Sequence, residues 1–160
     1  NNREKCILVT SLLYGMDKYP YFIYAASRGL AKTSVGAWFA VERAILYPRQ
    51  QICVTAFEKP QAIEFIKRIE TYSKLYPNLA REIYDLKTGI NDACVEFKNG
   101  SSIRVKTNSE GGRSARFHIL IVDEFALFKN RDIINKVFEP TLTNTRRPPY
   151  KALTKDQRLK

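Results

Sequence analysis

Lys32 and Thr33 are the first residues whose types and spacing could do chemistry. They close the segment Ala26-Ser27-Arg28-Gly29-Leu30-Ala31-Lys32-Thr33, and Ser34 follows. A phosphate loop needs small residues so that backbone N–H groups can wrap phosphate oxygens, a lysine to neutralise charge, and a hydroxyl to ligate magnesium. Ala26 and Ala31 stand where the usual pattern has glycine, and Gly29 supplies flexibility between them. Read this way, Ser27, Arg28, Gly29, Leu30, Ala31, Lys32, Thr33 and Ser34 would surround the phosphates of ATP. Lys32 would reach the β- and γ-phosphates, Thr33 would hold Mg2+, and Arg28 would place a positive charge near the γ-phosphate. The alternative is a solvent-exposed strand-to-helix connection in which Lys32 and Arg28 simply face water.

The second chemical feature is Asp123-Glu124, directly after the apolar run Ile119 to Val122. Adjacent acids at a strand end suit two roles. The first would join the Mg2+ shell, and the second, turned toward the γ-phosphate, would polarise an attacking water as a general base. Acids also follow buried strands because they cap the next helix, and that reading stays open on the pair alone.

Both loops need elements to position them. Residues 4–14 carry apolar positions at helical spacing, and Tyr21 to Ala25 form a short apolar and aromatic run expected to be a strand. Val35, Trp38, Phe39, Ile45 and Leu46 predict a helix after the loop, ending near Pro48. Ile52 to Ala56 predicts a second strand, and Pro60 with Ala62, Phe65, Ile66 and Ile69 predicts an amphipathic helix. Ala93–Phe97 and Ser102–Thr107 alternate around Asn99-Gly100, a strong hairpin signal. Glu110 to Arg113 reads as a turn, and Ile119 to Val122 as a central strand. Ile133, Ile134, Val137 and Phe138 suggest a short helix stopped by Pro140. The expectation is an α/β phosphate-loop NTPase core with a mainly parallel sheet, flanking helices and a β-hairpin, with its ligand at the strand C-termini.

Composition narrows the class. The 160 residues suit one domain, and no apolar run approaches the ~20 residues a membrane-spanning helix needs. Three separated cysteines, Cys6, Cys53 and Cys94, fit reduced buried thiols of a cytosolic protein rather than a disulfide framework or a zinc site. A single histidine, His118, leaves little for a histidine metal site or a Ser/His/Asp triad. The net charge of +11 points to a polyanionic partner. Residues 146–160 hold six bases and one acid, either a solvated basic tail or a segment contacting phosphates.

With these motifs in order, the chain resembles the large terminase subunits of tailed bacteriophages, whose nucleotide core is similar to that of superfamily-two helicases. Those terminases carry a loop of the form S-R-x-x-[GA]-K-[ST], matched by Ser27 through Thr33. An N-G-S-x-I hairpin is matched by Asn99 to Ile103, and an arginine-containing turn before an apolar strand ending Asp-Glu is matched from Arg113 to Glu124. The resemblance implies an ATPase that threads double-stranded DNA into a procapsid, working in the host bacterial cytoplasm. It would act as a ring, expected to be a pentamer docked on the portal and served by a small terminase subunit. Arg28 would be the loop arginine, and Arg113 would reach a neighbouring subunit's ATP, with Arg116 its competitor. A hairpin-end salt bridge or a DNA-backbone contact is the other reading of Arg113. The resemblance also implies that residues 1–160 form one ATPase domain, truncated before a coupling motif that Thr141 to Thr145 matches poorly, and without the nuclease domain. The rival expectations are a helicase or translocase core, or a non-catalytic nucleic-acid-binding prophage fragment in which Ala31 marks lost nucleotide affinity.

Overall fold

A computed structural model describes residues 2–19, 21–27, 29–106 and 116–128, with the single residues 132 and 142. Side chains are described from Ile7 onward. The turn at Glu110–Arg113, the helix expected at Ile133–Phe138 and the basic tail lie outside the described residues. So does the poor coupling-motif match, except for Leu142.

The described elements run α1 (Asn2–Lys18), α2 (Lys32–Leu46), β1 (Gln51–Thr55), α3 (Lys59–Leu75), α4 (Pro77–Glu82), β2 (Ile83–Thr88), β3 (Ala93–Phe97), β4 (Ser102–Val105) and β5 (Ile119–Val122). A 3-10 turn at Phe125–Leu127 follows. The five strands form one sheet in the order β2-β3-β4-β1-β5. β1 pairs in parallel with β4 and with β5, while β3 pairs antiparallel with both β2 and β4.

The core forms where the helical and strand periodicities agree. Alternate strand residues Ile52, Val54, Val95 and Ile103 are fully buried on one sheet face, in one apolar cluster with Phe65, Ile66 and Ile69 of α3. α2 contributes Ala37, Ala40 and Ala44 to the same cluster, each with no exposed surface. Pro60, in the first turn of α3, sits where its missing N–H would have had no intrahelical partner. Tyr72 of α3 stacks on Trp38 of α2 with ring centroids 4.5 Å apart, joining the two helices beside the cluster.

Three expectations are corrected. The sheet is mixed rather than mainly parallel. β2 supplies one of its two antiparallel pairings at an edge, and its polar sequence Ile-Tyr-Asp-Leu-Lys-Thr carries little strand signal. Among the described strands Ile119–Val122 stands at the end of the sheet order, with β1 its sole partner, where a central strand was expected. Tyr21–Ala25 runs outside the sheet, with Ile23 89% exposed. A β-branched and aromatic composition records fitness for a pleated surface and cannot supply the neighbouring strand that completes one. The segment is anchored instead at Phe22, whose ring lies so close to Gly15 that a Cβ there would meet it at 2.7 Å.

Candidate functional site

β1 and β5 run in the same direction, so their C-terminal ends open on one edge of the sheet, and α2 begins there. Asp123 N–H donates to the Thr55 carbonyl at 2.9 Å, carrying the β1–β5 ladder one residue past the strand end. Thr33 Oγ1 then donates to Asp123 Oδ2 at 2.9 Å, across 90 residues of sequence. The two motifs read separately from the sequence therefore meet.

The loop before α2 is held by its own atoms. Lys32 Nζ folds back to donate to the Ala26 carbonyl at 2.8 Å, and the Tyr24 hydroxyl donates to the Leu30 carbonyl at 3.2 Å. Gly29 (φ 84°) and Ala31 (φ 53°, ψ 29°) both take left-handed backbone. For alanine that conformation costs about 1–2 kcal/mol, which is the physical reason glycine is usual here. Ala31 is the N-cap of α2 and has no side chain with which to bond the first amides, so the helix start carries no side-chain cap.

The acid pair sits on a second left-handed residue. Glu124 (φ 51°, ψ 41°) turns the chain, its N–H donates to Asp123 Oδ1 at 2.9 Å, and its carbonyl accepts from Leu127 N–H at 2.9 Å. Both Asp123 oxygens are thus engaged. Glu124 is exposed and makes no side-chain capping bond to the 3-10 turn. Beneath the turn, Phe128 packs edge-on against Phe57, which follows β1, at 6.0 Å between centroids.

Other expected site residues are placed differently. Ser27, Gly29 and Leu30 are exposed, while Ser34 is half-buried and its carbonyl accepts from the Tyr72 hydroxyl at 3.4 Å. Arg28 and Arg113 lie outside the described residues. Arg116 is exposed ahead of β5, at the strand end remote from Asp123, and so takes no part in the Thr33–Asp123 contact of its own chain. His118 is tied to the same remote end: its N–H donates to the Gln51 carbonyl at 2.9 Å, and its Nδ1 accepts from Gln51 N–H at 3.0 Å. Cys53 and Cys94 are free and buried, and burial pushes the Cys53 thiol up to about 12, against the nearby Lys106 charge.

Sequence reasoning passed over Tyr24 and Thr55, which bond the loop and the acid turn, and gave Ala26 a place in the loop without the Lys32 contact its carbonyl makes. Thr55 also carries a buried hydroxyl without a partner. Tyr24 lies a few residues before the loop, but Thr55 reaches the acid pair only through the β1–β5 pairing, which no local signal carries.

The fold and this edge define an open-sheet α/β domain whose polar residues converge at the strand C-termini, where such sheets bind ligands. The chain belongs to the family described as terminase large subunit, T4likevirus-type, N-terminal, whose family model matches residues 23–157. No curated protein matches it in sequence.

Proposed function

We propose that this chain binds Mg-ATP at the edge formed by α2 and β5, and that it serves as the ATPase part of a motor that moves double-stranded DNA into a procapsid. Membership of the large terminase family supports the DNA-packaging role. The single observation behind nucleotide binding is the 2.9 Å contact between Thr33 and Asp123. Two oxygens in adjacent octahedral positions of Mg2+, each at about 2.1 Å, lie about 3 Å apart, so this pair fits the ion.

In this reading Thr33 and Asp123 hold the metal, which supplies Lewis-acid polarisation and charge neutralisation at the phosphates. Lys32 exchanges the Ala26 carbonyl for phosphate oxygens, and the first amides of α2 complete the cradle. Glu124, exposed and free of a capping bond, accepts the proton of the attacking water. Arg28 and Arg113 take the roles the family resemblance implies, the first in the loop and the second toward a neighbouring subunit of a ring. The left-handed Ala31 counts against a decayed binder, because alanine keeps the backbone path that a glycine would take.

Titration of the chain with Mg-ATP tests the reading. Saturable binding that Lys32→Ala weakens at least about tenfold is expected, a loss of the size of one charge-assisted contact. Absence of binding at millimolar Mg-ATP would overturn it and favour a non-catalytic nucleic-acid-binding module. Glu124→Gln should retain binding and abolish turnover in the assembled motor.

A further inference from the structure

The Asn99–Gly100–Ser101 turn joins β3 to β4, yet its side chains are spent on another element. Asn99 Nδ2 donates to the Ala44 carbonyl at 2.8 Å and to the Ile45 carbonyl at 3.2 Å. Ser101 Oγ donates to the Tyr47 carbonyl at 2.9 Å and accepts from Gln50 N–H at 2.9 Å. Arg49 N–H closes the contact on the Asn99 carbonyl at 3.2 Å. The turn keeps its own shape through Ser101 N–H on Asn99 Oδ1 at 3.0 Å and through Gly100 at φ 81°. It therefore satisfies the carbonyls left over at the C-terminus of α2, the helix whose other end carries Lys32 and Thr33.

α2 is packed along its length, with Ala37, Phe39, Ala40, Val41 and Ala44 in the core cluster and Trp38 stacked on Tyr72. Polar contacts add to that packing at the two ends: Thr33 on Asp123 in front, Asn99 and Ser101 behind. A 15-residue helix is about 22 Å long and stiff, so a shift at the rear arrives at the front undiminished.

We infer that Asn99 is a positioning residue for the nucleotide site, setting through α2 the separation of the Thr33 hydroxyl from Asp123. The inference rests on the Mg-ATP reading above. Asn99→Asp is the decisive variant, since it keeps the oxygen that accepts from Ser101 and removes the donor to Ala44 and Ile45. Mg-ATP affinity of Asn99→Asp, measured well below its melting temperature, should fall about tenfold, as expected for sub-ångström misplacement of binding groups. Ser101→Ala, a milder change at the same helix end, should shift affinity in the same direction by less. Val95→Ala, a core truncation on β3, serves as the control for lost stability and should leave affinity at the wild-type value while lowering the melting temperature. Unchanged affinity in both turn variants, or an equal loss in Val95→Ala, overturns the inference while wild-type binding preserves the nucleotide reading. Absence of wild-type binding removes both.

Discussion

At the residue scale, the site is built on backbone that only special residues adopt willingly. Ala31 and Glu124 both sit at positive φ on either side of the Thr33–Asp123 contact. Ala31→Gly is expected to leave the domain between unchanged and about 1 kcal/mol more stable, because relief of the left-handed penalty offsets the added freedom of the unfolded chain. The same change at Ala80, exposed in α4, should cost about 1 kcal/mol, so urea unfolding of the two variants separates them in sign. Glu42 makes a second prediction. Burial raises its carboxyl pKa above the ordinary value, against the Arg43 charge and with help from Asp17. The folded state holds that proton more tightly than the unfolded state. Its contribution to stability is therefore present below the ordinary carboxylate pKa and lost as pH rises through the raised one. Glu42→Gln should melt above the wild type at neutral pH, and the difference should vanish below about pH 4.

At the element scale, a charged contact ties α1 to α2. Asp17 accepts from Arg43, a 3% exposed guanidinium that lies over the Tyr47 ring at 3.7 Å. Removing the acid leaves a buried cation without that partner. Asp17→Ala should therefore cost about 2 kcal/mol, allowing for its half-exposed carboxylate, while Arg43→Met keeps the volume and should cost less; thermal melts of both variants check the order. These elements also show how much the sequence could tell. α2, α3 and the β3–β4 hairpin were legible because apolar period, proline position and Asn-Gly all pointed the same way. Thr33 and Asp123, which the fold brings together, were legible as candidates because each motif follows an apolar run. β2 was not, because its Tyr84, Asp85 and Lys87 give an edge strand no apolar alternation. The standing of Tyr21–Ala25 and of Ile119–Val122 in the sheet depends on which strand lies beside each, a relation between distant segments that local pattern does not contain. The capping role of Asn99 was hidden for the same reason: its turn signal was plain, but the helix end it serves lies 54 and 55 residues away.

At the scale of the whole molecule, the net charge of +11 makes a polyanionic partner the expectation to test. Residues 146–160 supply five of the eleven net positive charges. If DNA is held through its phosphates, affinity will be indifferent to sequence and will fall steeply with salt, and a chain ending at Thr145 should show a shallower slope of log affinity against log salt. An unchanged slope would assign the phosphate contacts to the remaining surface. The Asn99–Gly100 pair has a consequence on a different clock. Asn-Gly is the dipeptide most prone to deamidation, in which the glycine amide nitrogen attacks the asparagine side-chain carbonyl. In the fold the Gly100 N–H is committed to the Phe97 carbonyl at 3.0 Å, and the Asn99 amide group is held against α2. Folding thus shelters the bond from ageing, and each opening of the turn exposes it. Conversion to aspartate or isoaspartate would erase the donor that caps the helix, so damage once done would favour further opening, and old protein would lose its hold on α2 before it lost its core.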